Sequence, residues 1–336
     1  MSDVFAGDQP PASESAPAPA ESTAGERRSV SVPKLAALVA FLLVEVVVFS
    51  ILSSDFLNWD NFLNILTAIA VVGIIAAPGT LLIVAGQFDL SVGSMTALTG
   101  VVMASVAMHH SLLVGIVAAL VVGILAGGLN GFLVTVIGVN PLITTLGTLS
   151  VLSGLAEVIA GGVSISLNSF GGIGTARPFG NIPVPVLIFL FVVVIFAIAM
   201  RYTVFGRRVY AIGANPVAAR LTGIRVKRTI FILFLLSAVA CVLSGLILDS
   251  QLGSSSPTAA TGLELSVITA VVLGGATLSG GEGSVLGTLV GLLIVGVLND
   301  GLILENVNPF WQQVAQGALL IAAVSFDRLS ARFVEQ

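Results

Sequence analysis

From Leu35 onward the chain reads as a succession of long apolar runs cut at proline, glycine and clusters of charge, not as the short alternations of strands. The cuts are spaced close to the roughly 20 residues that a helix needs to cross a bilayer. This pattern predicts ten spans, at residues 35–53, 62–84, 92–108, 112–136, 142–161, 184–200, 229–248, 264–279, 284–303 and 312–327. The expected fold class is an all-α polytopic membrane protein, with a transmembrane domain over residues 31–330 and a short C-terminal tail over 331–336. Residues 1–30 break the pattern. They are mostly Ala, Pro, Ser and Glu, a composition that buries too little surface to offset chain entropy, so a disordered tail is expected there.

Composition narrows the class further. A mean hydropathy of +1.10 with 9% charged residues excludes a soluble domain, and ten spans leave little chain for a separate catalytic domain. The single cysteine, Cys241, lies in an apolar run and reads as a small core residue. Trp59 and Trp311 suit membrane-interface positions.

Charge gives the orientation. The stretch Arg201–Arg228 holds seven of the thirteen basic residues and no acidic one. A basic residue at a helix centre costs about 2.5–3.5 kcal/mol to insert, so loops rich in them stay cytoplasmic. Six spans before this stretch and four after it place the N-terminal Arg27, Arg28 and Lys34, the basic stretch, and the C-terminal Arg328 and Arg332 on one side. Only Arg177 falls outside. Both termini are then cytoplasmic.

The two halves echo each other. Asp89-Leu90-Ser91-Val92 recurs as Glu264-Leu265-Ser266-Val267. Leu129-Asn130-Gly131 followed by Val139-Asn140-Pro141 recurs as Leu298-Asn299 and Gly301 followed by Val307-Asn308-Pro309. In ten spans each motif and its echo fall on opposite sides, the signature of a five-plus-five inverted repeat, which is a transporter architecture.

Within the basic stretch, Asn215-Pro216 is a helix start and Gly223 a stop, predicting a two-turn helix too short to be stable unpacked. It is either part of an anchor lying on anionic lipid or a docking helix for a cytoplasmic partner. Asp89, between apolar runs with Gln87 and Ser91, either caps the helix that starts near Ser91 or lines a cavity. Asn130, Asn140, Thr144, Thr145, Thr148, Asn299, Gln312 and Gln313 are polar groups at or inside apolar runs. They suit hydrogen bonds to neutral hydroxyls, or equally helix–helix hydrogen bonds. Glu45 and Glu157 also lie within span limits, without a basic partner in their own span.

Catalytic and metal constellations are absent. The two histidines, His109 and His110, are adjacent in a short loop, and neither a metal-binding nor a triad pattern can be drawn around them. Thr277-Leu278-Ser279-Gly280-Gly281-Glu282-Gly283 tempts comparison with an ATPase signature, but no G-x-x-x-x-G-K-[ST] loop accompanies it; the lysines, Lys34 and Lys227, follow Pro33 and Val226. The run reads as a tight turn between two spans.

Taken in order, AGQFDLSVGS, NGFLVTVIGVNPLITTLGTL, GRRVYAIGANPVAARLTGI, VVLGGATLSGGEGS and VLNDGLILENVNPFWQQVAQGALL resemble the permease subunit of bacterial monosaccharide ABC importers, the ribose-permease family. The resemblance covers residues 35–327. It implies that Ala218, Ala219 and Gly223 form the core of a coupling helix that seats on the ATPase subunit, with Asn215, Pro216 and Arg220 completing the docking set. Val217 stands where family members usually carry Glu, which removes one implied salt bridge to the ATPase.

The resemblance further implies a homodimer in the bacterial inner membrane, ATPase subunits that hold ATP and magnesium, and an external sugar-binding protein. No cofactor on this chain and no nucleic-acid partner are expected. The substrate path would involve Gln87, Asp89, Ser91, Asn130, Asn140, Thr144, Thr145, Asn299 and Gln312. The competing readings are a gradient-driven secondary transporter, a membrane enzyme, and a branched-chain amino acid or nucleoside permease of similar architecture.

Overall fold

The computed structural model describes residues 32–334 apart from 168, 169, 171, 179 and 180; the expected tail over 1–30 lies outside the described residues. The chain runs α1 (Val32–Leu52), α2 (Trp59–Val84), α3 (Val92–Ala107), α4 (Leu112–Phe132, continued by a π-helical turn Leu133–Ile137) and α5 (Pro141–Ala160). There follow β1 (Ile165–Ser166), α6 (Gly172–Thr175), α7 (Val184–Tyr202), α8 (Val204–Ala214), α9 (Pro216–Leu221) and α10 (Val226–Leu252). The last elements are β2 (Ser254–Ser255), α11 (Leu263–Leu273), α12 (Val285–Leu304) and α13 (Pro309–Val334).

Local chemistry sets the ends. Asn140 caps α5 by accepting from the Leu142 and Ile143 N–H groups with Pro141 at the first helical position, and Ser284 caps α12 by accepting from Gly287 N–H. Each of the ten predicted ranges overlaps a helix, but only seven helices among the described residues are both long and apolar enough to cross a bilayer. α3 has 16 residues and α11 has 11, about 24 and 17 Å of helix against a hydrocarbon core of about 30 Å. The predicted span 264–279 is thus too long: α11 stops at Leu273, because Gly274-Gly275 follow and Gly275 takes φ +90°. α13 continues beyond the predicted last span, to Val334.

α2 is the centre, with 83% of its span buried within the chain, and α10 is next at 67%; α1 has 11% buried and turns its apolar side chains outward. α10 packs on α3 and α4 as α2 packs on α11 and α12, while α3 also meets α5 and α11 meets α13. The two central helices are joined directly where Ser244 Oγ donates to the Val71 carbonyl at 2.7 Å.

The connections gather at two opposite ends. At one, Gly281 N–H donates to the Val84 carbonyl at 2.8 Å and Tyr210 OH to the Gly283 carbonyl at 2.7 Å, bringing together the end of α2, α8 and the α11–α12 turn. At the other, β1 pairs antiparallel with β2 (Ile165 with Ser255), and Asn61 Nδ2 near the start of α2 donates to Asp300 Oδ2 near the end of α12 at 2.7 Å. The basic stretch lies at the first end and the exposed Arg177, close to β1, at the second.

Candidate docking elbow and buried polar junction

The basic stretch is an elbow of two helices rather than a loop with one. α8 went unforeseen because Gly206 and Gly213 interrupt its apolar positions, yet Gly206, Val209 and Ile212 recur at helical spacing and are buried, while Arg207 and Arg208 face outward. Thr203 starts it by accepting from Gly206 N–H at 3.2 Å. Gly213 fixes its seat: a Cβ there would lie 2.5 Å from Gly281 N and 3.0 Å from the Val84 carbonyl carbon, backbone on both counts. Tyr210, whose phenol burial holds above its usual range and therefore protonated, is the second fastening. The Gly-rich run that imitates an ATPase signature is the other half of this seat, a turn closed by Gly280 N–H to the Thr277 carbonyl at 3.0 Å.

α9 forms over Pro216–Leu221 as the capping pair demands. Asn215 Oδ1 accepts from Val217 and Ala218 N–H groups, each at 3.0 Å. At the other end Gly223, at φ +84°, donates to the Arg220 carbonyl and Ile224 N–H donates to the Ala219 carbonyl, both at 3.0 Å. This is a Schellman closure, and it requires a residue that tolerates the left-handed conformation. Ala219 alone of the six is buried; Val217 is 67% exposed and Leu221 84% exposed. A helix of six residues is thus held by one methyl group and its caps, and offers a small apolar face among arginines. Of the predicted docking set, Asn215, Pro216, Ala218, Arg220 and Gly223 are exposed, and Ala219 faces inward.

The second constellation is buried. Asp89 Oδ1 accepts from the Ser91 N–H at 3.1 Å and from its hydroxyl at 2.6 Å, and Asp89 Oδ2 accepts from Ser237 Oγ of α10 at 3.0 Å. Ser91 Oγ in turn accepts from Asn130 Nδ2 of α4 at 2.9 Å. The single hydroxyl is used as both donor and acceptor, joining the α2–α3 junction, α4 and α10. Ser237 lies 11 residues beyond the start of α10, about 16 Å along its axis. The non-helical segment Ala85–Ser91 therefore dips alongside the body of α10, which is why α3 is short. Irregular backbone at such depth requires protein around it, and the polar network supplies its partners.

Asp89 holds the turn into α3 through Ser91, and the space beside it is about 10 Å³, room for one water and not for a sugar in this conformation.

The remaining predicted path residues scatter. Gln87 is half-buried, with Oε1 unpartnered. Asn140 is the exposed cap of α5; Thr145 and Thr148 return their hydroxyls to the Pro141 and Thr145 carbonyls, and the buried Thr144 Oγ1 has no partner. Asn299, half-buried, lies near the far end of α12, and Gln312 Nε2 donates to the Val307 carbonyl there. The residues at positions 89, 91 and 130 are brought together; Asn299 and Gln312 are not with them. Sequence reasoning missed Ser237, Asp249, Asp300 and Gln316. Asp300 had a signal, as the inserted residue within the echo Leu298-Asn299-Asp300-Gly301. Gln316, which donates to Ser266 Oγ at 2.8 Å, lies one turn beyond Gln312 on α13, whereas Ser237 is one of three serines in α10 with nothing local to single it out. Cys241 is buried, as expected of a core residue.

The architecture is that of a polytopic membrane protein whose parts meet at a buried central helix pair and whose basic end presents a capped short helix. Residues 61–324 match the family described as branched-chain amino acid transport system / permease component, and the chain belongs to that family. It is 38% identical over 293 residues to the ribose import permease protein RbsC of Haemophilus influenzae, covering 85% of this chain and 90% of that one. It is 40% identical over 299 residues to RbsC of Bacillus subtilis (85% and 90% covered), and 38% identical over 277 residues to the L-arabinose transport system permease protein AraH of Escherichia coli K12 (82% and 84% covered). No solved structure matches.

Proposed function

We propose that this chain is the transmembrane subunit of an ATP-driven importer that forms the path for a neutral monosaccharide, a ribose-like pentose or a hexose, across the bacterial inner membrane. The observation that carries the reading is α9: a helix too short to stand alone, locked in shape by Asn215 and Gly223, exposing Val217 and Leu221 at the basic end of a chain similar to ribose and arabinose permeases. An ATPase subunit that closes on ATP and magnesium would push α9. Because Gly213 and Tyr210 fasten α8 to the end of α2 and to the α11–α12 turn, the push would reach the central helices as a rigid-body shift between two packings. The chain itself carries out no chemical step.

Ten spans in a five-plus-five inverted repeat complete the proposal. The equivalent packing of α2 and α10, and the pairing of the two short helices α3 and α11 with the echoed Asp89 and Glu264 motifs, support it. In this arrangement the elbow and both termini are cytoplasmic, a second copy of the chain completes the path, and an external sugar-binding protein docks at the end that carries β1 and β2. Of the predicted path residues, Gln87, Asn130 and Thr144 each carry a buried side-chain oxygen without a hydrogen-bond partner among the described residues, and these are the ones free to bind hydroxyls.

Two measurements test this. Ala214→Cys should react with a membrane-impermeant thiol reagent in inside-out vesicles and not in intact cells; labelling of intact cells overturns the orientation. Native Cys241 is buried and stays silent. Uptake of ribose and arabinose, with leucine as the competing substrate class, should require ATP. Transport that survives ATP depletion and collapses with an uncoupler would instead identify a gradient-driven carrier.

A further inference from the structure

At the foot of the elbow is a cavity of about 470 Å³ lined by Phe205, Arg208, Gly223, Arg225, Arg228 and Ile232. Three guanidinium groups from α8, the link after α9 and α10 line one space. No carboxylate lines it, and the whole stretch Arg201–Arg228 contains none. α10 begins here, with Arg225 at its cap position, no side chain capping it and no acidic residue in its first turn, so its positive end adds to the same field. Arginine in such a cluster suits a phosphate, to which its planar fork donates in pairs.

The cavity is not polar throughout. Ile232 lies six residues into α10 beyond Val226, about 9 Å along the axis, and Phe205 lies half-buried on α8. A free inorganic anion would satisfy the arginines and leave this apolar wall uncovered. A ligand with an anionic phosphate and an attached hydrocarbon chain uses both.

We infer that this cavity binds the phosphate headgroup of an anionic phospholipid, with Arg208, Arg225 and Arg228 around the phosphate and the start of an acyl chain along Phe205 and Ile232. The inference rests on the reading that the basic end lies at the membrane surface. Gly223 belongs both to this lining and to the closure of α9, so a lipid seated here steadies the docking helix against the bilayer.

The test uses the full-length chain in detergent, stripped of lipid and then offered phosphatidylglycerol or phosphatidylcholine, with bound lipid counted by native mass spectrometry. The triple variant Arg208→Gln, Arg225→Gln, Arg228→Gln should lose phosphatidylglycerol by about fivefold for each guanidinium removed. A control triple from the same elbow, Arg201→Gln, Arg207→Gln, Arg220→Gln, changes the net charge equally and should stay within about twofold of the parent. Equal loss in both triples would reduce the site to diffuse surface charge and overturn it, as would equal retention of phosphatidylcholine. Binding of inorganic phosphate together with no retention of phosphatidylglycerol would assign the cavity to the free anion and overturn the lipid reading. If the lining triple does not elute as folded protein, Arg225→Gln and Arg228→Gln singly decide by the same criterion. Since binding is read in detergent, an error in orientation would appear in the Ala214→Cys labelling and leave this result intact.

Discussion

The elbow and the buried junction are both irregular breaks in a helical bundle, but they are held in opposite ways. The junction Ala85–Ser91 is fixed by side chains: one carboxylate takes three hydrogen bonds, and the network reaches α4 and α10. In the elbow α8 is seated by Val209, Ile212 and the Tyr210 hydroxyl and by Gly213 against Val84 and Gly281, while α9 is held by its caps, Asn215 and Gly223, and a single buried methyl at Ala219, with its outer face left open. Buried polar groups are costly to leave unpaired, so the first arrangement resists change in shape. The second fixes the shape of α8 and α9 while leaving an outer face open, the geometry that the proposed coupling role requires.

That contrast can be broken by mutation, and the largest effect should fall in the junction. Asp89→Ala leaves the Ser91 and Ser237 donors unpaired and should cost about 3 kcal/mol, read as a fall of several degrees in the melting temperature of the detergent-solubilised chain. An unchanged melting temperature would show that the junction is not the fastening described. Gly213→Val places a side chain against two backbone segments and should cost about 2 kcal/mol, with uptake falling further than stability does because the seat of α8 is displaced. If uptake and stability fall in step, the elbow has no separate coupling role.

Leu221→Asp, on the 84% exposed residue, should leave melting untouched and weaken ATPase association about tenfold, near 1.4 kcal/mol, in pull-down titrations with the partner subunit. Association at the parental level would remove α9 from the docking surface. The smallest change is expected of Tyr210→Phe, which deletes one hydrogen bond to Gly283 and should cost about 1 kcal/mol, visible as a modest loss of ATP-driven uptake.

Much of this was legible beforehand, for identifiable reasons. Apolar run length located every long helix, because the bilayer imposes one length scale on all of them. Asn215-Pro216 and Gly223 marked α9 within a residue or two, since caps are local chemistry. α8 escaped because its glycines, which look like breaks, are there for close contact, Gly213 with the end of α2 and Gly206 with the backbone of α7 at Met200. The premature stop of α11 was obscured by the apolar residues that follow Gly275. Asp89, Ser91 and Asn130 were singled out separately as polar groups in apolar surroundings, but that they form one network with Ser237 depends on which helices touch.

The sequence by itself determined that this is a polytopic helical membrane protein, which end is basic, and where the short helix α9 starts and stops, because hydropathy, charge and capping are properties of neighbouring residues. Only the tertiary structure decided that α2 and α10 form the centre, that the α2–α3 junction sinks beside α10, and that arginines from α8, α10 and the link before it line one cavity. Those depend on contacts between residues tens to hundreds of positions apart, and no local pattern encodes which helix lies against which.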